Sequence, residues 1–198
     1  MIDGDSSEYN FISEEIEKLN LEDVVLTCEI GLRRGLGSKI IMDAVKKKQV
    51  PHYRHLAVDP YGNLEYKHYD NALPCKKDYT DNMKVETLCE LVKYKEFSFF
   101  EFPDTYFFET MERGYPFYID SKIALLGLYS VVHLDGPHTT EAVENEINFF
   151  MKRMADESII IIDDYNEIKV KSIEWSLQKV GFQEIRKGSR KLIFKRSI

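Results

Sequence analysis

The sequence predicts an α/β fold: an open, mostly parallel sheet with helices on both faces, completed by an antiparallel strand pair. Three observations carry this reading. Apolar runs of strand length alternate five times with segments of helical periodicity. Residues 159–162 are four consecutive isoleucines, which fits a strand buried on both faces in the middle of a parallel sheet. Acidic residues end these runs at Asp59, Asp135 and Asp163-Asp164. That places them at the carboxyl edge, where open α/β sheets bind ligands.

Residues 1–20 open polar and then carry Phe11, Ile12, Ile16 and Leu19 at helical spacing, an N-terminal helix. The first strand, V-V-L-T-C-E-I, runs into a turn holding Gly31, Gly35 and Gly37. Glycines at a strand-to-helix turn let a ligand approach the backbone closely. The spacing G-x-x-x-G-x-G is not the dinucleotide fingerprint. The helix that follows has Ile40, Ile41, Ala44 and Val45 on one face, with Lys46, Lys47 and Lys48 at its negative end. A second strand ends in Asp59, positioned to accept hydrogen bonds from both ribose hydroxyls of a nucleoside. Together with the glycine turn, this points to an adenosine-containing ligand.

Residues 60–82 are polar, bear tyrosines and read as a long loop of the kind that carries function. A helix over 83–94 is expected to turn Val85, Leu88, Leu91 and Val92 inward, and a third strand occupies 97–102. Phe and Tyr crowd residues 97–118, mostly as core packing of a strand and a short helix, with Pro103, Asp104 and Gly114 left for an acceptor pocket. Residues 129–165 then form a strand–helix–strand unit. Val143, Ile147, Phe150 and Met154 mark its helix. Its two parallel strands bring Asp135, Asp163 and Asp164 to one edge, where three carboxylates repel unless a cation such as Mg²⁺ or Ca²⁺ lies between them. Val170, Ile173, Leu177 and Val180 define a further helix, and 182–185 with 191–194 form the antiparallel pair across a basic turn.

Length and composition set bounds. The 198 residues suit one domain, a helical segment at 1–20 followed by a core at 22–196. A net charge of −7 argues against an extended nucleic-acid surface. Cys28, Cys75 and Cys89 are odd in number with no C-x-x-C pair, and read as reduced, mostly buried thiols of a cytoplasmic protein. No apolar run suits a membrane span, and Met1-Ile2-Asp3-Gly4-Asp5 does not read as a signal peptide.

The sequence E-I-G-L-R-R-G after strand one, Asp59 after strand two, and D-G-P-H…I-I-I-I-D-D-Y resemble the class I S-adenosylmethionine-dependent methyltransferases. In detail the chain is similar to small bacterial members with D-G-x-H and D-D-Y motifs, related to macrocin O-methyltransferase and the cephalosporin hydroxylase-like group, and to the metal-dependent catechol O-methyltransferase type. The resemblance implies a single-domain Rossmann-like sheet of seven strands, five parallel plus the C-terminal hairpin. It implies S-adenosylmethionine bound by Glu29, Gly31, Gly35, Asp59 and Asp135, and Mg²⁺ held by Asp135, Asp163 and Asp164. His138 stands where the catechol type places a lysine that deprotonates the acceptor hydroxyl, and imidazole chemistry suits that work near neutral pH. Two local departures are Ala155-Asp156-Glu157-Ser158, where the family carries a glycine pair, and Ser38, one residue later than the common serine. The expected activity is metal-assisted O-methylation of a small-molecule hydroxyl, with a homodimer left open. A non-catalytic cofactor-binding module and a hydroxylase-like relative are the alternatives.

Overall fold

The computed structural model describes all residues except Met1, Asp5, Asn63, Asp78, Asp120 and Ile198. Two residues of the opening pentapeptide and two of the long polar segment thus lie outside the described residues. In chain order the elements are α1 (Tyr9–Glu17), β1 (Val24–Ile30), α2 (Leu36–Lys47), β2 (His52–Val58), β3 (Glu65–Tyr66) and β4 (Cys75–Lys76). Then come α3 (Asp81–Leu91), β5 (Phe97–Phe100), α4 (Asp104–Thr110), β6 (Tyr115–Ile119), β7 (Lys122–Leu126) and β8 (Tyr129–Leu134). The chain ends with α5 (Thr140–Phe150), β9 (Met154–Ile162), α6 (Val170–Lys179), β10 (Phe182–Lys187) and β11 (Leu192–Arg196).

Among the described residues, seven strands form one sheet in the order β10-β11-β9-β8-β1-β2-β5. The five from β9 to β5 are parallel, while β11 runs antiparallel between β9 and β10. The expected Rossmann-like architecture of five parallel strands plus a C-terminal hairpin is what the chain adopts. The isoleucine run shows why the central strand needs two apolar faces. Ile160 and Ile162 enter the core that packs on α5 and α6, whereas Ile159 and Ile161 enter the core that packs on α1 and α2. None of the four is exposed to solvent.

Several expectations need correction. The helix at 81–91 is rotated from the predicted face: Thr87 and Leu91 are buried, whereas Val85 and Val92 are exposed. The reason is local, because Thr87 Oγ1 donates to the Arg33 carbonyl oxygen and Leu91 packs under Gly35. Residues 60–82 contain the short β3–β4 hairpin, and residues 115–126 form a second hairpin, β6–β7, that the aromatic density concealed. The strand β9 starts at Met154, so Ala155–Ser158 is strand, not the loop before it. Of the cysteines only Cys28 is buried; Cys75 on β4 and Cys89 on the outer side of α3 are exposed. No helix among the described residues is long and apolar enough to cross a membrane.

Candidate active site at the carboxyl edge

Backbone hydrogen bonds continue beyond the parallel strands and set the floor of a site. Gly31 N donates to Val58 O, Asp59 N to Phe100 O, Asp135 N to Ile30 O and Asp163 N to Leu134 O. Over this floor lies a cavity of about 340 Å³, in the size range of small-molecule sites. Its lining includes Gly31, Asp59, Asp135, His138, Asp163 and Asp164. Six of the eight sequence-predicted site residues are thus brought together.

Glu29 and Gly35 do not line it. Strand alternation explains Glu29: Ile30 points to the α5 face, so Glu29 points to the opposite face, against α2. There it is 1% exposed and its oxygens are taken by Ser38 Oγ and by His133 Nδ1, the latter at 2.7 Å. Gly37 makes this fit, since a Cβ at that position would overlap Glu29 Oε1. Behind Ser38 stands His55, with Nε2 2.7 Å from Ser38 Oγ and Nδ1 2.8 Å from Thr27 Oγ1. Burial lowers the His55 pKa to about 4, so the ring is neutral near pH 7. Because Ser38 O–H donates to Glu29, the neutral ring donates Nε2–H to Ser38, and Nδ1 accepts from the Thr27 hydroxyl, which is also within 3.3 Å of the Arg54 carbonyl oxygen. Gly35, at φ 75°, caps α2 and packs against Leu91.

Gly31 has the stricter need of glycine. Its φ is 86°, and a Cβ there would overlap the Asp135 carbonyl oxygen. The β1–α2 and β8–α5 turns therefore touch through backbone alone. Asp59 Oδ2 accepts from the N–H groups of Leu32 and Arg33, each at 2.9 Å, and Oδ1 from Tyr61 at 2.8 Å. Burial raises the Asp59 pKa above its ordinary value, and the three N–H groups offset part of that rise.

Across the cavity, residues 66–70 fold over His138. His138 N donates to His68 O, and the Tyr69 ring stacks on the His138 ring at 5.9 Å. Asp70 fastens this segment to the start of α5 by accepting from Thr140 N and Oγ1. His138 Nε2 is 3.8 Å from Asp135 Oδ1 and 3.6 Å from Asp164 Oδ2. The imidazole and two carboxyl groups therefore share one wall of the cavity.

Beside and behind these acids stand two residues the sequence reading missed: Arg190, which lines the cavity, and Lys191, buried behind Asp163. Lys191 Nζ is 2.7 Å from Asp163 Oδ2, with both side chains essentially fully buried. Arg190 grips both oxygens of Asp164 through Nε and Nη2. Burial pushes Asp163 up, but the Lys191 ammonium, His133 and a hydrogen bond with Asp135 together hold the carboxyl below its ordinary value. Asp135 moves the other way, raised first by burial and then by the charge of Asp163. The trio therefore does not fit a Mg²⁺ site. A hard cation needs carboxylates free to give it charge, and two of these three already face fixed cations. Glu29, His133 and Asp135 also bring ligand-type atoms within 4.8 Å of one another, yet the Glu29 oxygens are bonded to Ser38 and His133. A signal for Arg190 and Lys191 existed: a last strand antiparallel to β9 must start beside the residue that ends β9.

No curated protein matches the sequence. Several solved structures share the fold at low identity. The O-methyltransferase NovP aligns with a TM-score of 0.65 at 13% identity, covering 96% of this chain and 79% of that one. The O-methyltransferase from Bacillus cereus, solved with SAH, gives 0.57 at 8% identity over 100% and 83% of the two chains. An rRNA methylase from Streptococcus thermophilus gives 0.54 at 7% identity over 99% and 100%. These likenesses concern the fold. A family model described as a methyltransferase domain matches residues 28–165, more than half of the sequence, in agreement with the motif resemblance. The chain belongs to this family, Methyltransf_24, of methyltransferase domains.

Proposed function

We propose that the protein transfers a methyl group from S-adenosylmethionine to a hydroxyl oxygen of a small molecule. The observation that carries this reading is the convergence of Gly31, Asp59 and His138 on one cavity at the carboxyl edge. Gly31 offers a backbone surface without a side chain, and Asp59 offers a carboxylate at the end of β2 for the ribose hydroxyls. S-adenosylmethionine supplies an electrophilic methyl group on a sulfonium sulfur. The protein's part is then to orient the acceptor oxygen and take its proton. His138 is the group we assign to take that proton, with Asp164 Oδ2 3.6 Å from its Nε2 to offset the charge the ring acquires. The aromatic wall of Tyr66, Tyr69 and Tyr79 suits a ring-bearing or sugar-like acceptor and restricts water. The net charge of −7 supports a small acceptor over RNA.

Calorimetry with S-adenosylhomocysteine tests the donor half of the reading. Binding is expected, weakened roughly ten- to hundredfold in Asp59→Ala through the loss of charge-assisted bonds; absence of binding to folded wild type rejects it. His138→Ala tests the base: turnover should fall roughly 10²–10⁴-fold while S-adenosylhomocysteine affinity stays within about twofold.

A further inference from the structure

We propose that Lys191 is the built-in counter-cation of this site, occupying Asp163 so that the cluster of Asp135, Asp163 and Asp164 binds no metal while Lys191 is present. The inference deepens the methyltransferase reading, though its test does not depend on it. Lys191 is 0% exposed, an unusual state for a lysine, and it is placed by the fold rather than by chance of rotamer. Leu192 pairs with Ile162 across β11 and β9, which brings residue 191 beside Asp163. Among the described residues the ammonium meets Asp163 Oδ2 at 2.7 Å, Ser6 Oγ at 3.1 Å and the face of the Tyr9 ring at 4.4 Å. Ser6 Oγ also donates to Asp163 Oδ1 at 2.9 Å, so both oxygens of that carboxylate are occupied.

The turn that delivers Lys191 is itself fixed. Glu8 accepts from the N–H groups of Ser189, Arg190 and Lys191, while Arg190 holds Asp164. A metal ion entering this cluster would have to expel a buried ammonium from a site whose backbone cannot yield. Removing the ammonium leaves an uncompensated buried carboxylate beside two more, which is the donor set a hard cation binds.

The test compares wild type and Lys191→Met, which keeps the length of the stem and deletes the charge. Each is refolded and melted in EDTA and in millimolar MgCl₂ or MnCl₂, without S-adenosylmethionine. The wild-type Tm is expected to differ by less than about 1 °C between these conditions. Lys191→Met should refold poorly or melt several degrees lower in EDTA, and regain folded fraction or Tm saturably with the cation. Saturable stabilisation of wild type by either cation, reversed by EDTA, overturns the proposal. So does a Lys191→Met protein whose folded fraction and Tm ignore both cations. S-adenosylhomocysteine binding, measured in parallel, reports separately on the methyltransferase reading.

Discussion

At the scale of single residues, the groups that do not titrate normally decide how stability depends on pH. Glu146 on α5 is 1% exposed, and neither carboxyl oxygen has a hydrogen-bond partner among the described residues. Burial, and to a lesser degree the charge of Asp104, raises its pKa well above the ordinary value. A carboxyl raised on folding stabilises fully only below its unfolded pKa, and that contribution is lost as pH rises. Glu146→Leu should therefore stabilise the protein by about 1–3 kcal/mol, with a larger gain near pH 8 than near pH 5, as read from urea midpoints. His55 works in the opposite direction. Its pKa drops to about 4 on folding, so the unfolded chain takes up a proton first, and stability should decline as pH falls from about 6.5 to 4. His68, half-buried and also lowered to about 4 by burial, adds to this acid limb. A urea midpoint that stays flat between these pH values would contradict the buried, neutral His55.

At the scale of elements, the segment between β2 and α3 is held by aromatic packing and by polar fasteners. Asp70 is the clearest, with two bonds to Thr140 at the start of α5. Asp70→Ala should raise hydrogen exchange of residues 64–79 roughly three- to tenfold, because a half-exposed acid contributes on the order of 1 kcal/mol. The exchange of β1 and β8 should not change. Such fasteners were illegible in the sequence: Asp70 and Thr140 are far apart in the chain, and nothing in 60–82 has a period. The strands were legible for the opposite reason. Runs such as residues 159–162 satisfy two cores at once, and only a central strand offers two. Helix α3 lay between these cases, since its apolar residues did reveal a helix. Its orientation was set by one hydroxyl bond from Thr87, which hydrophobic periodicity does not see.

At the scale of the whole molecule, the acids of the site could be read because each ends a parallel strand and the edge they share follows from topology. Their partners are legible only at a second step: Arg190 and Lys191 fall beside Asp164 and Asp163 once the hairpin is known to pair with β9, and no local pattern records that pairing. The contacts of Glu8 with that hairpin have a consequence for the order of events in a cell. The bond from Ser189 N to Glu8 spans 181 residues of chain. Asp135, Asp163 and Asp164 all precede Lys191 in the chain, and the strands they end can pair before the hairpin docks. The cavity thus carries surplus negative charge until the hairpin arrives, and only then can Glu8 and Ser6 close on it. Long-range closures of this kind come late because their chain entropy is lost before the contact is made. The folding chain can therefore assemble its parallel sheet while the candidate site still repels anions and attracts cations, and the docking of the last strand ends that stage.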